Sequence, residues 1–249
     1  MPEPLPVLSL QDVHMSYWRK RREIVVLAHV SLDLHPGETI GVYAGRRAGK
    51  TTLSLLAAGL ERPSRGAVLL DGRDLAARRR WRRPALRRDV AWVSGIKPLG
   101  ANRGTVLEGV ALPMRSRGYS PFAARRRAQA TLARLDLADY ADERWEGLTD
   151  GERTLFTVVG VLMREPKALV TDDLTINLDV LRREKLMALL QEAAREHGIG
   201  VLSVSSEMTD MVHADRLATL SEGTLMLAGP PPAGRDSAVA FPLRRRRSA

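Results

Sequence analysis

At 249 residues and 44% hydrophobic, the chain can bury one substantial core with a subdomain attached. It has no cysteine, which excludes disulfides and thiolate metal sites, and its five histidines show no ligand spacing, so zinc and redox chemistry are not expected. The 39 basic and 29 acidic residues leave a net charge of +10, which fits either an anionic surface nearby or plain solubility.

The start Met1-Pro2-Glu3-Pro4 lacks the charged-then-apolar pattern of a signal peptide, and no apolar run approaches the ~20 residues that span a bilayer. The expectation is a soluble or peripheral chain. The basic runs Arg78–Arg88, Arg125–Arg127 and Arg244–Arg247 are not interleaved with aromatics as base-stacking platforms would be, so no specific nucleic acid is expected as a partner.

In chain order, residues 7–45 read as short β-branched runs: Val7–Val13, Ile24–Val26, Val30–Leu34 and Thr39–Tyr43, with a Pro36-Gly37 turn before the last. Thr51–Leu60 carries apolar residues at helical spacing. Ala67–Leu70 with Asp71-Gly72 reads as a strand and its turn. From about Thr105 to Arg164 the pattern is helical, with Pro121 opening one helix and an exposed Arg-rich face over 125–134, which marks a helical insertion of about 100–165. Ala168–Thr171 reads as a short buried strand. Leu186, Leu189, Leu190 and Ala193 mark an amphipathic helix ending at Gly198, and Ile199–Val204 is a second buried strand. Strands alternating with helices imply a parallel α/β core. Residues 230–249, opening on Pro230-Pro231-Pro232, read as a loose basic tail behind a domain of 1–229.

Chemistry concentrates after the strand Thr39–Tyr43. Ala44, Gly45, Arg46, Arg47, Ala48, Gly49, Lys50, Thr51 and Thr52 lie between a strand and a helix with the spacing of a phosphate-binding loop. Backbone N–H groups can face phosphates there, Lys50 can reach the β/γ oxygens, and the Thr51 hydroxyl can ligate Mg²⁺. Ala44 stands where such loops usually begin with glycine, and Arg46 and Arg47 occupy a turn that favours small residues. A second carboxylate is required at the end of a neighbouring buried strand. Asp172 supplies it as a Mg²⁺ ligand, and Asp173 beside it is placed to orient or deprotonate a water. The same pair can instead cap the following turn. Leu148-Thr149-Asp150-Gly151-Glu152 precedes a helical run, and Thr149 with Glu152 forms a capping-box pattern that needs no ligand.

The order of phosphate loop, Leu148–Glu152 segment and Asp172-Asp173-Leu174-Thr175-Ile176-Asn177-Leu178-Asp179 resembles the nucleotide-binding subunit of ATP-binding-cassette (ABC) transporters, from about Val7 to Ala228. The resemblance implies a P-loop NTPase core with an N-terminal antiparallel β-subdomain and a helical signature subdomain. It also implies two subunits, alike or different, that sandwich ATP and Mg²⁺ head to tail and drive an integral membrane permease from the cytoplasmic face. It assigns Tyr17 to adenine stacking, with Trp18 as a neighbouring candidate. Lys50 and Thr51 fall at the phosphates, Leu148, Thr149, Asp150, Gly151 and Glu152 at the signature, Asp172 at the metal and Asp179 at the dimer seam. The stretches Thr175–Asp179 and Val106–Pro113 look most like the lipoprotein-release and macrolide-efflux branch.

Several accessory positions depart from that family. Its glutamine falls at Gly95, its catalytic glutamate at Asp173, its switch histidine at Ser206, and a signature glycine at Asp150. His213, seven residues after Ser206, reads as a surface residue too far along to substitute. ATP binding is expected to survive and hydrolysis to be slow or absent. The readings left open are a slow ATPase subunit, a pseudo-ATPase that gates or scaffolds a complex, and a nucleic-acid-handling relative.

Overall fold

The structure, a computed structural model, describes residues 5–76, 89–96 and 104–228. The basic runs Arg78–Arg88 and Arg244–Arg247 and the tail 230–249 lie outside the described residues.

Four strands form an antiparallel sheet: β1 (Leu8–Arg19), β2 (Arg22–Leu34), β4 (Arg65–Leu70) and the two-residue β5 (Arg73–Asp74), in the order β2-β1-β4-β5. Ile24–Val26 and Val30–Leu34, separate runs in the sequence reading, belong to the single strand β2, because Leu27, Ala28 and His29 continue it through a bulge. Three register shifts interrupt the β1–β2 ladder. An extra residue on β1 between Leu10 and Val13 is followed by two on β2, one between Val30 and Leu27 and one between Leu27 and Val25. Asp12 (φ 46°) and His29 (φ 55°) absorb the first two in the left-handed region. The offset gathers Asp12, His14 and His29, a grouping of ligand atoms that their spacing in the sequence conceals.

The second sheet runs β10-β9-β3-β8-β7-β6, with β3 (Thr39–Ala44), β6 (Val90–Ser94), β7 (Ala168–Asp172), β8 (Gly200–Ser205) and β9 (Arg216–Ser221) parallel and β10 (Thr224–Ala228) antiparallel at the edge. Every residue of β7 and β8 is buried. Covering both faces of a parallel sheet removes the apolar–polar alternation, which is why these strands read as continuous apolar runs.

Helix α1 (Lys50–Ala57) follows β3 directly. The helical region comprises α2 (Val106–Arg115), opened by a Thr105–Glu108 capping box, α3 (Pro121–Arg134), capped by Ser120, and α4 (Asp150–Met163), opened by a Thr149–Glu152 capping box. Arg127 in α3 is not part of an exposed basic face. It ion-pairs with Glu165 at 2.8 Å and donates to the Tyr119 hydroxyl, tying α3 to the segment before β7. Helix α5 (Val180–His197) starts at an Asp179 cap and ends at Gly198, whose φ of 65° suits a left-handed C-terminus.

The apolar residues divide into two cores. Leu8, Leu34, Ile40, Leu53, Val170 and Leu202 fill the space between the two sheets and α1. Val93, Phe156, Leu169, Leu186 and Leu190 pack the helices against the other face of the parallel sheet. The two cores hold the C-terminal ends of β3, β7 and β8 side by side, where loops of a parallel sheet carry function.

Candidate functional site

Strand β3 delivers its last residue, Ala44, fully buried, and the chain then turns through Gly45, Arg46, Arg47 and Ala48 before α1. Gly49 has φ 99°, and a Cβ there would meet Leu27 Cδ2 at 3.1 Å and the Val26 carbonyl oxygen at 3.2 Å. Conformation and space both require glycine at this point. Arg47 (φ 62°) takes the other left-handed position of the turn at a cost of roughly 1–2 kcal/mol, while Arg46 lies outside that region. Both arginines are exposed, and the open N–H groups of the first turn of α1 face the same loop.

Lys50 folds back under the loop. Its Nζ donates to the carbonyls of Ala44 (3.3 Å) and Gly45 (3.1 Å) and stands 3.6 Å from Asp173 Oδ2. The other carboxylate oxygen of Asp173 accepts from the Ser206 backbone N–H (2.8 Å) and from the Ser206 hydroxyl (3.0 Å). Asp173 is buried at φ 44°, a region where Asp is better tolerated than longer side chains. The carboxylate is therefore held from both sides, by Lys50 at the start of α1 and by Ser206 in the loop after β8.

Asp172, at the end of β7, is 1% exposed, and its Oδ1 is buried with no hydrogen-bond partner. Burial pushes its carboxyl above the ordinary range; the adjacent Thr51 hydroxyl offsets part of this, the Asp173 charge adds to it, and Lys50 opposes it. A buried carboxylate oxygen left without a donor beside a threonine hydroxyl fits a divalent cation, which would supply the missing partner.

Gly95 follows β6. A Cβ on it would lie 2.7 Å from the Leu174 carbonyl oxygen and closer still to that of Asp173. The Gly95 carbonyl accepts from Asn177 Nδ2 at 3.0 Å, so the two loops are in backbone contact where a side chain would stand. Beyond Asp173, the Thr175 hydroxyl donates to the buried carboxylate of Asp210, which also accepts from Ser205 at 2.6 Å and has Arg183 at 3.8 Å. Thr175 and Asp210 lock the loop after β7 to the segment after β8, and Asn177 ties the same loop to the one after β6. No spacing in the sequence marks Asp210, because its partners come from distant segments. His213 is half-buried rather than on the surface, and burial holds its imidazole below the ordinary value.

The segment Leu148–Glu152 forms a second patch. Leu148 is buried, and Thr149 and Glu152 exchange the two bonds of a capping box. The backbone hydrogen bond from Thr149 keeps the Glu152 carboxyl below its ordinary value, with help from the Thr149 and Tyr140 hydroxyls and the Arg182 charge. Asp150 is exposed and pairs with Arg153 at 3.3 Å. Gly151 is pressed against the loop after β7, where a Cβ would meet the Asn177 carbonyl oxygen at 2.6 Å. Arg182 reaches Glu152 (3.6 Å) and Asp179 (3.5 Å), so Asp179 caps α5 within this patch. No hydrogen bond or ion pair joins Thr149–Glu152 to the loop 44–52 among the described residues.

Tyr17 lies near the loop by a different route. Its hydroxyl donates to Glu61 at 2.8 Å and stands 3.5 Å from Thr52 Oγ1, and burial, partly offset by Thr52, raises its pKa. Tyr17 is 37% exposed and the neighbouring Trp18 74% exposed.

Residues 27–176 match the family model described as ABC transporter. The chain belongs to this family. The cassette is 32% identical over 226 residues to the methionine import ATP-binding protein MetN 1 of Rhodococcus jostii, covering 90% of this chain and 66% of that protein. It is 32% identical over 222 residues to the lipoprotein-releasing system ATP-binding protein LolD of Pseudomonas fluorescens, covering 88% and 97% respectively. Among solved structures, the dimeric bacterial ABC transporter cassette MJ0796 superposes with a TM-score of 0.78 at 25% identity, over 88% of this chain and 96% of that one. The fold is a P-loop ATP-binding cassette, with the antiparallel sheet beside the parallel one. Import and lipoprotein-release relatives stand at equal identity, so similarity alone singles out no branch.

Proposed function

We propose that this cassette binds Mg·ATP between two nucleotide-binding subunits and couples binding to an integral membrane permease on the cytoplasmic face, with weak hydrolysis. The observation that carries the reading is the convergence of Lys50, Thr51 and the unsatisfied Asp172 Oδ1 beneath the loop 44–49, together with an Asp173 already engaged by Lys50 and Ser206.

In this reading Tyr17 stacks on adenine, with Trp18 as the exposed alternative, and the loop N–H groups and Lys50 cradle the phosphates. Thr51 and Asp172 would hold Mg²⁺, which neutralises charge on the β- and γ-phosphate oxygens. Asp173 is the group available to accept a proton from water, but its lone pairs are shared with Lys50 and Ser206, and its short side chain sets it back from a glutamate's reach. Ser206 orients Asp173 and carries no charge toward the γ-phosphate. Leu148–Glu152 and Asp179 face the second subunit, with Asp150 placing a carboxylate near the partner's phosphates.

The nucleotide-binding domain spans 1–229 and residues 230–249 form a tail outside it. The stretches 106–113 and 175–179 support a permease of the lipoprotein-release kind. No described helix is long and apolar enough to cross a membrane; in this reading attachment runs through the permease. A non-hydrolysing gate is the second reading, favoured by the backbone contact at Gly95, which leaves no room for a side chain that could sense the γ-phosphate.

Light scattering of the purified chain with Mg·ATP, ATP alone and neither tests the assembly. Dimers that form with Mg·ATP and require Lys50 support the reading, as does co-purification with a membrane subunit. A monomer under all three conditions, or stable complexes with soluble proteins alone, contradicts it.

A further inference from the structure

The β1–β2 ribbon carries a second cluster of titratable groups, remote in the sequence from every nucleotide-site residue except Tyr17. Its basis is local. The extra residue in β1 and the compensating one in β2 leave His14 and His29 facing each other between the pairs Val13–Val30 and Met15–Leu27. Asp12, left-handed within the first bulge, is fixed by its N–H to the Ser31 hydroxyl at 3.0 Å. The neighbouring strand makes room with Gly66, where a Cβ would meet the Asp12 carbonyl carbon at 2.6 Å. Three strands thus cooperate to hold one unusual backbone.

The side-chain atoms converge. His14 Nε2 is 3.1 Å from His29 Nδ1 and 3.5 Å from Asp12 Oδ1, and His29 Nδ1 is 2.8 Å from Asp12 Oδ1. The rings meet edge to face, with centroids 4.1 Å apart. In a tetrahedral zinc site with bonds of about 2.0–2.1 Å, neighbouring ligand atoms are separated by roughly 3.3 Å. The three observed separations bracket that value, and a point at bonding distance from all three atoms lies just off their plane.

We propose that Asp12, His14 and His29 form a surface site for a divalent transition ion of the zinc class. Two imidazoles and one carboxylate suit Zn²⁺, Ni²⁺ or Cu²⁺ and disfavour Mg²⁺, which demands an oxygen shell. This separates the site chemically from the phosphate loop. Asp12 and His29 are exposed and His14 is partly buried, so an ion enters from solvent and completes its coordination with water. Bound there, it cross-links β1 to β2 beside the stretch of ribbon that presents Tyr17.

The test is titration of the full chain, stripped with chelator and without nucleotide, with Co²⁺ by visible absorption and with Zn²⁺ by competition against a chromophoric chelator. His29→Asn keeps a residue that tolerates left-handed backbone and removes one ligand; Asp12→Asn keeps the backbone bond to Ser31; Asp172→Asn removes the carboxylate at the phosphate loop. The expected result is one equivalent of Zn²⁺ and a Co²⁺ d–d spectrum, affinity weakened more than about tenfold in His29→Asn and Asp12→Asn, and no change in Asp172→Asn. Circular dichroism with unchanged melting in the absence of metal verifies that these variants fold. Absence of stoichiometric binding, binding unaltered in both ribbon variants, or binding lost in Asp172→Asn overturns the proposal.

Discussion

Lys50 Nζ lies 3.6 Å from Asp173 Oδ2 while Ser206 holds the opposite oxygen of the same carboxylate. The lysine that would meet phosphate and the residue that would activate water are thus bound to one another, and both are about nine-tenths buried. A charge pair this enclosed is held by geometry more than by net energy, since desolvation offsets much of the attraction. Incoming phosphate competes with Asp173 for Lys50. A longer carboxylate and a cationic partner at position 206 would change that balance.

The combined substitution Asp173→Glu with Ser206→His is expected to raise steady-state phosphate release by more than about tenfold, because a displacement of roughly 1 Å in a reacting group is worth up to about 100-fold. Each single change gives less, since Asp173→Glu alone leaves no cation at position 206 and Ser206→His alone leaves the shorter carboxylate in place. Phosphate release by the four proteins, measured together, checks this.

Restoring a glutamine at Gly95 is not expected to help. Its Cβ would press on the Asp173 and Leu174 carbonyls, forcing apart the backbones that Asn177 joins. Gly95→Gln should lower unfolding free energy by about 1–3 kcal/mol, the usual cost of overpacking, without raising turnover. Urea denaturation beside a phosphate-release assay reads both effects.

The Thr149–Glu152 capping box makes a pH-dependent contribution. The Glu152 carboxyl is held below the 4.5 of an unperturbed glutamate, so its stabilisation is fully present above that value and is lost as pH falls through the depressed one. Glu152→Ala should therefore cost about 1 kcal/mol near pH 7, in the range of a lost cap, and progressively less in acid. Unfolding curves of both proteins from pH 7 to pH 3 would show the two lines converge.

Phe156 is among the largest fully buried side chains and packs on Tyr140 with ring centroids 5.4 Å apart. Phe156→Ala should cost about 3–5 kcal/mol. Because α4 carries the Leu148–Glu152 patch, loss of ATP-dependent dimerisation is expected well before the fold melts. Denaturation and light scattering on the same preparation separate the two.

Much of the architecture was legible because it rests on local rules. The buried strands β7 and β8, the Gly198 stop, the helix start at Pro121 and the Thr149–Glu152 cap follow from apolar runs and capping chemistry within a few residues. The phosphate loop was legible for the same reason, since loop, lysine and threonine are consecutive. What escaped depends on register and tertiary approach. A regular ladder from Arg19 opposite Arg22 would set Leu27 across from His14, and only the two extra residues on β2, between Val25 and Leu27 and between Leu27 and Val30, bring His29 there. Asp210 is joined to Thr175 across 35 residues, and Gly95 reads as a missing side chain until the carbonyls of Asp173 and Leu174 are seen to occupy its place.

The most direct test of the account is equilibrium binding of ATP, with and without Mg²⁺, to the intact chain and to Lys50→Ala, with phosphate release followed in the same samples. The account predicts Mg²⁺-assisted binding that weakens by about 100-fold or more in the variant, as expected when roughly 3 kcal/mol of charge-assisted contact is removed, with phosphate release at most a few times the variant's. ATP affinity that is indifferent to Lys50, or brisk turnover by the unmodified chain, would contradict it.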